Sequence, residues 1–465
     1  MLFTSYPFLF IFLPIVISLY YFIKKLAGDR VLKLFMITIS IVFYGIFYPG
    51  FLLLLISSIT LNMIISVLIV KTTGLSKFFF IIGIAVNMLG LLVLKNAALP
   101  ITSLEAYFPQ DIVALELVLP LGIGFLTFIQ ISYLLKAYKK DIGTIITLDY
   151  FLKCTFFPSF VIGPVYKAED NLIANEKEES FDHVAYGIYI LIIGLFKMVV
   201  LADSFYIYFF NGMNINNPGL LTTWFTMLSF TFQIYFYCSG YCDMAAGIGK
   251  MFGLSIPFNF LSPYKATSLS EFTNRWHTSL TGIIRDLIYT PLTSKRKNIV
   301  ISCIAIITSI IIGSFWFGNS LNVLICGFLY GCLLCLGTLF GKLIRHIPKR
   351  IRGGLTFLTI NLLFILLSTE SISKAVQRYK GLINFNNLGI DEISRLTAEG
   401  SLYFPNLINI VYFLVYFLLG IGICFFGKNT KEMMKSVSFT TISAMGLGLL
   451  LLIIVIHMTR LEFLF

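Results

Sequence analysis

One stretch of the chain concentrates groups that can move protons or grip anions. Between Ser262 and Pro291 stand Ser268, Glu271, Asn274, Arg275, His277, Thr281, Arg285 and Asp286. Ser268 with Glu271 three residues on forms a capping box that opens a helix. Leu269, Phe272, Trp276, Leu280, Ile283, Ile284 and Leu287 then recur at three and four, so the spacing predicts one amphipathic helix that Pro291 stops. On that helix Asn274, His277, Thr281 and Arg285 share a face, with Arg275 and Asp286 nearby. An imidazole among amide, hydroxyl and guanidinium groups can exchange a proton or steady a developing oxyanion. The same pattern also fits a helix lying on the membrane surface with its arginines on lipid phosphate. The residues alone leave both readings open.

Other polar groups are weaker signals. Of the four histidines, His183 falls in a polar loop, His346 in a basic loop and His457 at the outer end of the last apolar run, all surface or interface positions. Lys197 and Asp203 flank the end of one apolar run, and Gln130 and Gln233 lie inside others. An ionisable group at the bilayer centre costs about 2.5–3.5 kcal/mol, so Lys197 and Asp203 either snorkel to an interface or line a tunnel. Gly247-Ile248-Gly249-Lys250 has the letters of a phosphate loop, but no strand precedes it and no Ser or Thr follows the lysine, so close helix packing is the reading. Ser268, Ser270 and Ser279 have no nucleophile elbow around them and serve as caps or solvated hydroxyls. Cys332 and Cys335 match CxxC inside an apolar run with no second pair, and pack as small hydrophobes. No cluster has metal-ligand spacing, and no metal is expected.

These residues sit in an unusual frame. The 465 residues are 58% apolar and 12% charged, with mean hydropathy +0.91. A soluble domain carries roughly 25% charged residues, so a water-soluble enzyme is excluded. Apolar runs of about 17 to 25 residues match helices crossing a hydrocarbon core, and about eleven to thirteen are counted. No repeat or long linker divides the chain, which reads as a single membrane domain over 1–465. The net charge of +12 is mostly loop charge. Lys24, Lys25, Arg30 and Lys33, then Lys71 and Lys77, Lys136, Lys139 and Lys140, Lys295–Lys297, Lys342–Arg352 and Lys428–Lys435 all fall on one side. The positive-inside rule makes that side cytosolic and places the N-terminus outside; no nucleic-acid partner is expected. Pro7–Ile23 has no basic leader and reads as a retained span. Pro49-Gly50 is a tight turn between two spans, while Lys167–Asp182 and Ser371–Ser401 are long polar loops. Phe151–Val165, broken by Pro158, Gly163 and Pro164, and the polar Pro257–Leu292 are read as re-entrant or interfacial segments around a cavity.

Several blocks together carry a resemblance. Asn259-Phe260-Leu261-Ser262-Pro263-Tyr264-Lys265, Arg275-Trp276-His277 and Arg285-Asp286-Leu287-Ile288-Tyr289-Thr290-Pro291-Leu292 are similar to the signature of the membrane-bound O-acyltransferase (MBOAT) family, in its bacterial alginate O-acetylase branch, related to the D-alanyl-lipoteichoic acid transferase. Leu119–Ile123, Phe156-Phe157-Pro158, Gly194-Leu195-Phe196-Lys197, Phe232-Gln233-Ile234-Tyr235 and Ser239-Gly240-Tyr241-Cys242-Asp243 extend it nearly end to end, with the signature region at 230–335. The resemblance implies an all-helical bundle around a central tunnel in a bacterial cytoplasmic membrane. It implies no bound cofactor: the acyl group comes from a cytosolic thioester, acetyl-CoA or an acyl carrier protein, and goes to an exported or cell-surface glycan. The implied partners are membrane lipid, that glycan and an extracytoplasmic SGNH-type acyltransferase.

Within the resemblance His277 is one of two histidines usual in the branch, with Arg275, Asn274 and Asp243 as its supporting residues. The other belongs to a Gly-x-Trp-His-Gly block, which here reads Ser314-Phe315-Trp316-Phe317-Gly318. The histidine position is Phe317, and Asn319, Leu321, Asn322 and Tyr237-Cys238 also depart from the usual pattern. Phenylalanine has no lone pair or titratable proton. Three readings follow: a transferase that works with His277 alone, a catalytically inactive homologue that binds or assembles with an active one, and a conduit without covalent chemistry.

Overall fold

A computed structural model describes residues 2–47, 49–72, 74–96, 122–140, 147–159, 163–166, 180–294, 298–315, 317–318, 320–344, 346–385, 393–394, 396–397, 406–436, 446–448, 450–455 and 457. Every regular element among them is helical. Among the described residues, seven helices are long and apolar enough to cross a membrane: Phe8–Leu26, Leu52–Lys71, Ser76–Val93, Asp182–Asn214, Leu321–Leu339, Lys349–Ser368 and Asn409–Phe426. That is fewer than the sequence count. The Ile299–Ser314 helix is apolar but has 16 residues, and Leu220–Met251, with 32, carries threonines, serines and Asp243 along much of its length. Residues 97–121 lie outside the described residues.

The chain folds as two compact units, Met1–Ile188 with Ala245–Pro257, and Tyr189–Met244 with Phe258–Phe465. In the first, the helices Pro49–Lys71, Ser76–Asn96 and Ile123–Lys139 pack on one another. Their seam is polar: the Asn62 amide donates to Asn87 Oδ1 (3.3 Å) and Gln130 Oε1 (3.0 Å), and Asn87 donates back to Asn62 Oδ1 at 2.6 Å. Gln130 inside its apolar run is thus interhelical glue, worth about 0.6–2 kcal/mol per bond in a membrane. Pro49 and Gly50 do not form a turn of their own. Pro49 is the first residue of the Pro49–Lys71 helix, where a missing N–H costs nothing.

In this unit packing corrects one further sequence expectation and bears out another. His183 is not in a loop; the helix begins at Ser180, and the ring is 2% exposed against Gly253, whose positive φ of 69° brings the backbone to it. A Cβ on Gly249 would overlap Ile256, and one on Gly187 would stand 2.6 Å from the Gly247 carbonyl, so the phosphate-loop letters are close packing. After the Thr147–Thr155 helix, Phe156, Phe157 and Pro158 are buried. Irregular backbone is tolerated there because protein surrounds it.

In the second unit Ile299–Ser314 and Leu321–Leu339 form a tight hairpin. Cβ atoms on Gly327 and Gly331 would lie 2.7 Å from Ser314 Oγ and 3.0 Å from Ile307 Cα, so these two glycines, four apart, let the helix axes close. Ser371–Ser401 is not all loop: Ile372–Gly381 is a helix capped by Ser371. Its Arg378 turns inward and donates to the Gly212 (3.0 Å) and Met213 (2.5 Å) carbonyls at the end of the Asp203–Asn214 helix.

The Pro257–Leu292 segment is helical but broken. Leu269–Arg275 ends at Trp276, His277 takes φ 44° and ψ 60°, and Thr278–Ile284 begins anew. Pro291 does not stop the run, because a π-turn at Arg285–Tyr289 resets the ladder and Thr290–Ser294 follows with the proline in its first turn. The capping box is present: Glu271 N–H donates to Ser268 Oγ at 3.1 Å, while the Glu271 carboxylate returns to the Thr267 N–H (2.8 Å) and hydroxyl (3.0 Å). Ser268→Ala is expected to cost about 0.5–2 kcal/mol, read as a lower unfolding midpoint in detergent or nanodiscs. An unchanged midpoint would show that the carboxylate alone holds the turn.

Candidate functional site

His277 owes its place to the break. A non-helical segment runs beside it: Thr278 N–H donates to the Asn259 carbonyl (2.9 Å), Leu261 N–H to the Arg275 carbonyl (3.0 Å), and Thr278 Oγ1 to the Phe258 carbonyl (3.1 Å). Trp276 anchors the turn in an aromatic cluster, with ring centroids 5.0 Å from Phe260, 5.4 Å from Phe272 and 6.0 Å from Phe364. Aromatic pairs at these distances add about 0.5–1.5 kcal/mol each beyond burial. The ring of His277, 3% exposed, is edge-on to Phe260 and has Nδ1 3.4 Å from the Asn259 amide nitrogen.

The imidazole lines a cavity of about 450 Å³, the size range of small-molecule sites. Asn274, Thr281 and Arg285, the face read from sequence, line it too. They do so although the helix is broken between them. Phe317 lines it as well; 43% exposed, it stands in the turn of the 299–339 hairpin, its N–H bonded to the Ser314 carbonyl at 2.9 Å. The two positions at which the resemblance expects histidine therefore line one cavity, one as imidazole and one as phenyl. Trp316 and Asn319 lie outside the described residues. Asn322, one of the altered flanks, is structural: buried, it donates to the Thr369 carbonyl at 2.7 Å.

Arg275 and Asp243 are not among the residues lining the cavity. The Arg275 guanidinium pairs with Glu271 at 2.7 Å and donates to the Leu261 and Ser262 carbonyls at 3.2 and 3.4 Å, clamping the turn from outside the cavity. Asp243 is held by Lys197 at 2.6 Å and by the Thr430 hydroxyl at 2.7 Å, both charged side chains being almost wholly buried. Lys197 thus neither snorkels nor lines this cavity. Two residues were missed by the sequence reading. Asn259 is the hydrogen-bond partner of His277; an asparagine preceding Phe260 carries no periodic signal. Ser309 lines the cavity with a buried hydroxyl that has no hydrogen-bond partner among the described residues.

Comparison with known proteins places this geometry. The model of the MBOAT, membrane-bound O-acyltransferase family matches residues 63–373. The chain belongs to the membrane-bound O-acyltransferase family. Both His277 and Phe317 fall inside the matched region. Among curated members, the peptidoglycan O-acetyltransferase of Helicobacter pylori is 29% identical over 436 residues, covering 86% of this chain and 83% of that protein. The probable alginate O-acetylase AlgI of Pseudomonas aeruginosa is 29% identical over 411 residues, covering 86% and 78%. A teichoic acid D-alanyltransferase of Bacillus subtilis matches at 27% identity over 237 residues, 48% of this chain and 60% of that protein. This MBOAT chain is thus similar over most of its length to proteins named for the O-acetylation of peptidoglycan and alginate.

Proposed function

We propose that the chain is a membrane-embedded O-acyltransferase of a bacterial cytoplasmic membrane, N-terminus outside. It passes an acyl group, acetyl by similarity to its relatives, from a cytosolic thioester, acetyl-CoA or an acyl carrier protein, towards an exported or cell-surface glycan. An extracytoplasmic SGNH-type acyltransferase is the proposed partner on the outer side. The observation that carries this reading is the meeting of both family histidine positions at one cavity, with His277 as the group that acts on the acyl transfer. Phe317 at that cavity favours a second reading, a homologue that keeps the bundle and binds or assembles with an active enzyme.

Purified chain in nanodiscs with acetyl-CoA separates the two. Slow thioester consumption that falls to background in His277→Ala is the expected result. Wild type and His277→Ala equally silent would leave the assembly reading in place. Gradual donor loss in both variants alike would assign the turnover to a group other than His277.

A further inference from the structure

Asn259 decides which nitrogen of His277 carries the proton. The backbone N–H of Ser279 points at the Asn259 side-chain oxygen at 3.2 Å. A backbone N–H only donates, so the oxygen of the amide must lie on that side and its NH2 on the other. The NH2 then faces His277 Nδ1 and the Cys242 sulfur, each at 3.4 Å. An amide NH2 cannot accept, so Nδ1 must present its lone pair. A neutral imidazole has one proton, and it is on Nε2.

We propose that Asn259 is a positioning residue that holds His277 neutral with its proton on Nε2, so the ring meets an acyl group as a hydrogen-bond donor to the carbonyl oxygen. With Nδ1 turned to Asn259, whatever the ring does in the cavity goes through Nε2. In this tautomer that nitrogen has no lone pair in the ring plane and takes no proton from a hydroxyl. The imidazolium form would set the Nδ1 proton against the Asn259 NH2. The backbone fixes the direction in which the ring leaves the chain: φ of 44° is a conformation that L-residues hold only when surroundings enforce it. Here the bonds from Thr278 N–H to the Asn259 carbonyl and from Thr281 N–H to the His277 carbonyl (3.0 Å) enforce it on either side. The cavity therefore holds a carbonyl-polarising donor at 277 and, at 317, a side chain with no proton acceptor.

The role towards an acyl group rests on the proposed function; the tautomer does not, and the test separates them. With 15N-histidine label in nanodiscs, the chain's four histidines give few imidazole resonances, and the His277 pair is identified by its loss in His277→Ala. The wild type is expected to show Nε2 protonated and Nδ1 bare. Asn259→Asp keeps the oxygen facing Ser279 and offers a carboxylate oxygen to Nδ1, so Nδ1 is expected to gain a proton. A wild-type ring with its proton on Nδ1 overturns the proposal. So does an Asn259→Asp ring unchanged in a protein with wild-type unfolding midpoint. Should Asn259→Asp not fold, the wild-type spectrum alone decides. Where the chain turns over donor, Asn259→Asp is expected to alter the pH profile of kcat with KM within about twofold. A silent chain with the expected spectrum would sink the transferase reading and leave the assignment standing.

Discussion

Phe317→His is expected to raise acyl-donor turnover by about 10²–10⁴-fold, the range that a positioned general acid or base supplies. Position 317 and His277 line one cavity, and the proposed tautomer makes His277 a donor there, so a basic proton acceptor is what these two positions lack. An imidazole at 317 would provide a lone pair for the acceptor hydroxyl while Nε2–H of His277 holds the carbonyl oxygen. Stability should move little. Phe317 is 43% exposed and sits in a turn, and substitutions at such positions are usually within about 0.5 kcal/mol. Thioester loss from acetyl-CoA, measured beside Phe317→Leu as a control for shape, reads the effect. A gain shared by Phe317→Leu would trace the change to cavity volume instead. No gain in a well-folded Phe317→His protein would argue that the cavity is not where acyl transfer happens.

The sequence is informative about this cavity where the physics is local, and silent where it is not. Apolar runs such as Phe8–Leu26 and Lys349–Ser368 are legible because lipid demands length and composition. The Ser268–Glu271 cap is legible because its partners are three residues apart. The break at His277 is hidden, since Leu269, Phe272, Trp276 and Leu280 keep helical spacing straight across it. What breaks the helix is the non-helical stretch from Asn259 to Leu261, which takes up the backbone bonds at Thr278 and Arg275. Nothing in periodicity announces such a segment. The same holds for Arg378, whose partners Gly212 and Met213 lie more than 160 residues away. In each case a long-range polar contact, made only after folding, assigns the residue its role.

Lys197→Met is expected to destabilise the chain by about 3–5 kcal/mol, the cost of leaving a buried charge without its partner. The side chains of Lys197 and Asp243 are only 9% and 7% exposed. The ammonium has three protons and spends them on Ser239 Oγ (3.0 Å), Asp243 Oδ2 (2.6 Å) and Thr430 Oγ1 (2.9 Å). The Thr430 hydroxyl in turn donates to Asp243 at 2.7 Å, so removing the lysine leaves a carboxylate with one hydroxyl in a nearly dry site. The damage should travel, because Asn429, next to Thr430, donates to Ser262 Oγ at 3.2 Å, and Arg275 holds the Ser262 carbonyl two residues before His277. A lower unfolding midpoint in nanodiscs is the readout for stability, and donor turnover for the spread to His277. Replacing both charges, as in Lys197→Met with Asp243→Leu, should recover most of the loss, since a buried pair is often no better than apolar side chains of like volume. A single-variant loss below about 1 kcal/mol would mean that water reaches Asp243. The pair would then be a wet polar contact, and the route from Lys197 to His277 would lose its first link.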